Sequence, residues 1–349
     1  MKKLFILLFL TGMAFVPATV MAVSMDDFKL NGFIDLEYEK ADGPGHPVTP
    51  VGDEKGSFDQ VHFNLLMEFP VNNQLTVKGH IEFEHSPKLG EGSETGEINI
   101  EWAYLEYILN NSMMVRGGSF LTPIGIYNEL HDATATYNSI RIPWGIYRAD
   151  KIGGFAMFPK FGTGINFLGN HSSDGNLQIN YSVYILNGEN DLNHNDAEED
   201  DNSNKAVGGQ LMISPISGLI IGGSYFTGKK GTAEDDHYVW IGTLDYITNQ
   251  INIRAEYASV ELNETTETGW YSELSYRIKR VTPYMRYGTL DPDTDQTDDK
   301  WTELVYGVNY EIQPHFIVKF ENRHFGGEAN NIKVSENYNE LGASVNVDF

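Results

Sequence analysis

Charged residues that could select ions are concentrated in and just before one long segment, residues 122–160. At the narrow section of a water-filled passage, basic side chains favour anions and acidic side chains favour cations, because low-dielectric walls strengthen each charge. Both signs occur here, so the segment predicts a selectivity site without fixing its preference. The candidates for this pore constriction are Arg141, Arg148, Lys151, Glu129, Asp132 and Arg116.

No comparable set of residues in the sequence indicates catalysis. Covalent or acid–base catalysis needs a nucleophile, a base and an orienting group that converge at one place. Ser272, His315 and the other scattered hydroxyl and imidazole side chains show no spacing that selects such a group. The sequence therefore predicts no catalytic residue.

Sequence motifs that could bind a metal or a cofactor are also weak. The acidic stretches that begin at Asp191 and Asp291 start like calcium-binding loops, but their sixth positions are Asp196 and Gln296, where such a loop needs glycine. Neither stretch has the glutamate required at position twelve. The chain has no cysteine, which excludes disulfides, thiolate metal sites and covalently attached c-type haem. We predict no metal site and no cofactor, and leave open weak divalent bridging to lipopolysaccharide.

The elements that would position the charges are strands. In residues 28–39, Leu30, Ile34 and Leu36 alternate with Asp35 and Glu37. Such alternation places apolar and charged side chains on opposite faces of a strand. Many segments of about ten residues repeat the pattern with no helical periodicity between them, as in a transmembrane barrel with one lipid-facing and one wet face.

Sixteen candidate strands can be counted, an even number as expected for a single-chain bacterial barrel. Tight connections such as residues 71–74, 110–112 and 248–249 alternate with longer polar ones. In such barrels the short turns face the periplasm, so both termini are predicted to be periplasmic. The chain ends in an alternating run closed by Phe349, which resembles the terminal strand signal of outer-membrane barrels.

The first residues predict export. Lys2 and Lys3 precede an apolar run, and the small-residue site ending at Ala22 is typical of signal-peptidase cleavage. We therefore expect residues 1–22 to be a signal peptide and residues 23–349 to form one barrel domain in the bacterial outer membrane. Beyond the signal no apolar stretch is long enough for a helical membrane span. The net charge of −25 argues against nucleic acid as a partner.

Several motifs resemble one family. Residues 103–107 followed by 114–125, with Gly118, Phe120, Pro123 and Gly125, look like the strand pair and "G-x-F-x-x-P-x-G" corner of the phosphate-selective porin O and P family. Residues 206–228, 283–287 and 307–310 resemble that family's later strands, in the same order.

This resemblance implies an all-β, 16-stranded antiparallel barrel, a homotrimer, and a third outer loop folded inward to narrow the lumen. Residues 122–160 are the candidate loop, because they are the longest connection and are rich in apolar side chains that an exposed loop would not favour. The expected function is a passive channel for small hydrophilic solutes or ions, in contact with outer-membrane lipid and lipopolysaccharide. Phosphate as the solute is less favoured, since Lys151 and Lys160 are the loop's only lysines.

Two other classes stay open. The barrel could be a scaffold or sheath for a partner such as an electron-transfer protein, although a long inward loop would leave little room in the lumen. An outer-membrane enzyme is the weaker alternative.

Overall fold

The computed structural model describes residues 27–42, 56–84, 97–130, 133–147, 157–173, 177–190, 202–297, 299–327 and 338–349. Within these ranges the chain forms one closed sheet of sixteen antiparallel strands, each paired with its neighbours in sequence. The predicted 16-stranded all-β barrel is confirmed. The predicted signal peptide, residues 1–22, lies outside the described residues.

The first eight strands are β1 (Lys29–Asp42), β2 (Ser57–Pro70), β3 (Leu75–Glu84), β4 (Glu97–Asn110), β5 (Met113–Leu121), β6 (Phe161–Ser172), β7 (Gln178–Leu186) and β8 (Ala206–Ile216). The last eight are β9 (Leu219–Lys230), β10 (Asp235–Ile247), β11 (Ile251–Leu262), β12 (Thr265–Tyr276), β13 (Val281–Asp291), β14 (Trp301–Gln313), β15 (Phe316–Gly327) and β16 (Tyr338–Asp348).

The barrel closes where β1 pairs with β16. Their register places Ile34 opposite Val347, and the main chains of Gly32 and Phe349 exchange two hydrogen bonds of 2.9 Å. Because β1 pairs with β2 on its other side, the sheet has no free edge. Closure satisfies the backbone hydrogen bonds that a strand in lipid cannot make to water.

The two faces of the wall follow the period of two seen in the sequence. On β11, Arg254 and Glu256 face the interior and are buried. Tyr257, the residue after Glu256, faces outwards and is exposed. Large apolar side chains such as Leu341 and Phe320 cover the outer surface. The interior is charged and the exterior apolar, as a membrane barrel requires.

The connections are asymmetric, but less regularly than the sequence suggested. One end carries tight turns, such as residues 71–74 between β2 and β3. The other end carries the long connections, yet two of its links are also short: β9 to β10 spans residues 231–234, and β11 to β12 spans residues 263–264. The expectation that every tight turn alternates with a long loop was wrong at these two places.

The connection between β5 and β6 is the third loop at the long-connection end, and it folds into the barrel. It contains a 3-10 turn (Thr134–Thr136) and a short helix α1 (Trp144–Tyr147). Its apolar side chains form a core with the inner wall, where Trp144 packs on Phe325 with ring centroids 4.9 Å apart. The predicted inward packing of this apolar loop is confirmed. Among the described residues, no helix has the length and apolarity needed to cross a membrane.

Candidate functional site

The third loop is held against one side of the lumen by charged wall residues. The carboxylate of Glu256 on β11 accepts hydrogen bonds from the backbone of Ile126 at 2.9 Å and the hydroxyl of Tyr147 at 2.5 Å. The hydroxyls of Thr243 and Tyr271 donate to the same carboxylate at 2.8 Å each. Four donors around one buried carboxylate offset its lost hydration, so the start of the loop and α1 are fixed to the wall.

A second anchor lies on β13 and β14. The guanidinium of Arg286 donates to the carbonyl of Arg141 at 3.0 Å and to the hydroxyl of Ser139. It also lies 3.3 Å from Glu303 and 3.6 Å from Glu273. Arg286 is fully buried, so these carboxylates compensate its charge while its donors hold the loop backbone.

A third anchor lies on β15. The ammonium of Lys319 donates to the carbonyl of Tyr137 at 2.7 Å, that of Ser139 at 2.9 Å and that of Thr134. The neighbouring Glu321 accepts from the backbone of Ile140 at 2.9 Å. The wall thus presents a cation to the loop's carbonyls and an anion to its amide.

Arg141, predicted to line the constriction, is buried and forms an ion pair with Glu39 of β1. Glu39 also lies 3.4 Å from Arg323, which is itself fully buried and paired with Glu321 at 2.5 Å. The charge of Arg141 is therefore compensated within the contact between loop and wall. Arg148, Lys151 and Asp132 lie outside the described residues.

Arg116 and Glu129, two other predicted site residues, lie together at the opposite wall. Their side chains are 4.0 Å apart, and Glu129 is 44 % exposed. The guanidinium of Arg116 also lies 4.3 Å from the ring centre of Tyr104 and 3.3 Å from Glu106. Enclosure by the protein raises the pKa of Glu129, and the positive charge of Arg116 opposes that rise.

This pair ends a row of alternating charges along the lumen face of β1 to β5. Consecutive groups in the row are 3.0–4.0 Å apart. We call it the charge ladder, and its members are Lys29, Glu68, Lys78, Glu106, Arg116 and Glu129. Lys78 and Glu68 are about a quarter and a third exposed, so much of the ladder is in contact with water.

Only Arg116 and Glu129 of the charge ladder were predicted from the sequence as site residues. The others could have been found from the alternation alone, since each occupies the charged face of its strand. Their mutual contacts, however, depend on the register between neighbouring strands, which joins residues 10 to 39 positions apart.

A cavity adjoins the ladder. Its volume is about 190 Å³, and its walls include Glu129, Pro123, Asn166, Asn180 and Gln210. Amide side chains and the carboxylate of Glu129 supply polar groups to this space between the loop and the wall of β5 to β8.

A closed, apolar-skinned barrel with a charged interior narrowed by an inward loop defines an outer-membrane channel of bacteria. Residues 10–325 match the sequence model of the Gram-negative porins, and the chain belongs to that family.

Solved barrels and one curated protein resemble the chain. OmpF of Salmonella typhi, solved with daunomycin, shares 13% identity and a TM-score of 0.66, covering 92% of this chain and 97% of that one. The trimer form of OmpT, an outer-membrane protein of Vibrio cholerae, shares 12% identity and a TM-score of 0.57, covering 92% and 99%. An uncharacterised protein of Aquifex aeolicus (strain VF5) is 36% identical over 84 residues, which span 24% of this chain and 19% of that protein.

Proposed function

We propose that this porin is a passive, water-filled channel for small hydrophilic solutes or ions. The observation that carries the proposal is the placement of the third loop, which is bound to β11 and β13 to β15 and leaves the charge ladder in contact with water. Loop and ladder face each other where Glu129 meets Arg116. A solute that passes the loop on this side meets charged and amide groups that replace its hydration without trapping it.

Selectivity is proposed to depend on the same place. Glu129 lines the 190 Å³ cavity, and Arg116 carries the opposite charge 4.0 Å from it, so each opposes the other's preference for one sign of ion. Arg148, Lys151 and Asp132 are retained as proposed constriction residues from the sequence. Arg141 is proposed to act chiefly by holding the loop, because Glu39 neutralises it.

Planar-bilayer recording of the purified protein tests the channel. We expect discrete conductance steps that grow in proportion to salt concentration, as for bulk diffusion through water. A barrel that folds and inserts yet gives no steps would contradict the channel. Conductance that saturates at low salt would replace passive diffusion with a pore that binds its ion.

The finer placement in the phosphate-selective porin O and P family is proposed from the sequence motifs. Phosphate selectivity is not part of the proposal, since Lys160 is the only lysine among the described residues of the third loop. Addition of millimolar phosphate should leave the chloride current unchanged apart from ionic strength. A block of that current at such concentrations would restore phosphate as the solute.

Assembly as a homotrimer in contact with lipid and lipopolysaccharide is likewise proposed, supported by the family and by the apolar outer wall. Export through removal of residues 1–22 completes the proposal, and mass spectrometry of the membrane-extracted protein should give a chain that begins at Val23.

Family and fold favour a channel over an enzyme. They also disfavour a sheath for an electron-transfer protein, because the third loop and its core with the wall occupy the space that a partner would need. A haem protein that copurifies with the barrel in fixed ratio would revive the sheath.

A further inference from the structure

Two carboxylates and one imidazole meet on the lumen wall away from the charge ladder. Asp35 and Glu37 are two residues apart on β1, so both face inward, and the register of β1 with β2 places His62 opposite Asp35. At most 5 % of any of the three residues is exposed. One ligand atom from each lies within 4.8 Å of the other two.

Glu37 is the member of this group with an unsatisfied carboxylate oxygen. Its Oε2 is buried and has no hydrogen-bond partner among the described residues. A buried carboxylate without donors is strongly destabilised, because it loses hydration and gains nothing in return. The described protein groups therefore leave the hydrogen-bonding capacity of this oxygen unused.

The nearby cations are engaged elsewhere. Arg141 and Arg323 form ion pairs with Glu39, and Lys319 donates to three loop carbonyls. No described lysine or arginine forms an ion pair with Glu37. Among the described residues Glu37 therefore has no ion-pair partner, although the charge of Arg141 acts on it from farther away.

Asp35 and His62 already have the spacing of neighbouring metal ligands. Nδ1 of His62 lies 2.8 Å from Oδ1 of Asp35, and Oδ2 of Asp35 accepts from the hydroxyl of Thr134 at 2.7 Å. Zinc bonds of about 2.0–2.2 Å place adjacent ligand atoms about 3 Å apart. Carboxylates that bind a metal usually also accept a hydrogen bond from a neighbouring group, which holds them in position.

The backbone is irregular at this point. The register between β1 and β2 shifts between Glu37 and Tyr38, which marks a bulge. Bulges re-aim side chains and are over-represented beside functional sites. Here the extra residue lies on β2, across from the step between Glu37 and Tyr38.

We propose that Asp35, Glu37 and His62 bind one first-row transition-metal dication, with Zn²⁺ as the expected ion. Mixed imidazole and carboxylate ligands favour such ions over Mg²⁺ and Ca²⁺, which prefer oxygen alone. On binding, His62 is neutral with its one remaining proton on Nε2, the Nδ1 lone pair binds the metal, both carboxylates bind as anions, and any protons displaced from these three groups leave to solvent. The ion joins β1 to β2 and, through Asp35 and Thr134, braces the third loop.

The test is a zinc titration of the full refolded barrel, stripped with chelator and held in detergent, against a competing chromophoric chelator. We expect one tight site per chain. Glu37→Gln and His62→Asn should each weaken it at least about tenfold. A matched control removes another buried carboxylate and imidazole, Glu189 and His237, which lie 2.5 Å apart; Glu189→Gln with His237→Asn should bind zinc as the wild type does.

X-ray absorption of the zinc-loaded wild type keeps the proposal open to refutation even if a variant fails to fold. Nitrogen and oxygen ligation with a single imidazole is the expected result. Zinc bound with two or more imidazoles, equal affinity in the folded Glu37→Gln variant, or no tight binding by the wild type would each overturn the site.

Discussion

Nζ of Lys319, on the wall strand β15, donates a hydrogen bond of 2.9 Å to the backbone carbonyl of Ser139 in the third loop. Two more loop carbonyls, those of Thr134 and Tyr137, accept from the same ammonium, which is fully buried. One wall side chain therefore fixes three points of the loop that narrows the lumen.

Lys319→Met should loosen that loop without opening the barrel. Each carbonyl left unsatisfied costs about 1–3 kcal/mol, whereas the hydrogen bonds between strands are untouched. We expect larger and noisier single-channel currents and unchanged heat-modifiable mobility on gels. Lys300→Met is the control, because the exposed Lys300 pairs with Asp291 at 3.1 Å, away from the charge ladder. Wild-type current noise in folded Lys319→Met would show that Lys319 does not hold the loop.

Arg116 and Arg141 should differ in their effect on ion preference. Arg116 lies beside the exposed Glu129, whereas Arg141 is buried against Glu39. In a salt gradient, Arg116→Gln should move the zero-current potential towards cation preference, and Arg141→Gln should move it less. The order would be reversed if the narrowest section lay at Arg141.

Lowering the pH should weaken the preference for cations. This weakening should begin at a higher pH than the titration of an ordinary glutamate would give. Enclosure raises the pKa of Glu129 despite the opposing charge of Arg116, so this carboxylate takes up its proton earlier as the pH falls. The zero-current potential, recorded over a pH series, should shift towards anions, and Glu129→Gln should show that shift already at neutral pH. An identical pH profile in Glu129→Gln would assign the titration to another group.

Gly32→Ala should disturb barrel closure. A β-carbon at Gly32 would lie 2.6 Å from the ring of Phe349 and would also meet the carbonyl of Asn64. Overpacking of this kind costs about 1–3 kcal/mol. We expect a lower unfolding temperature and less heat-modifiable barrel.

Gly117→Ala is the matched control for that substitution, since a β-carbon there meets nothing within 4 Å. Equal unfolding temperatures for the two variants would mean that the close approach of Asn64 and Phe349 to Gly32 does not limit closure.

Several features of the site could be predicted from alternation alone. By the same period of two, Arg254, Arg286, Lys319 and Arg323 fall on the charged faces of their strands, and the structure buries each of them on the inner wall. Arg116 and Glu129 were selected as site residues and lie 4.0 Å apart. What each charge contacts could not be predicted, because alternation fixes the face of a strand but not its neighbour's register.

By itself, the sequence determined that this is a closed barrel with a charged interior and an inward third loop. The period of two, the even strand count and the apolar long loop can be recognised locally, because each residue must suit either the lipid outside the barrel or the water inside it. Only the tertiary structure decided which charges pair and that Oε2 of Glu37 has no hydrogen-bond partner among the described residues. Arg141 meets Glu39 from 102 positions away, and His62 meets Asp35 across 27. Such contacts depend on the strand register and on the path of the third loop, and both are set by the packing of the whole barrel wall.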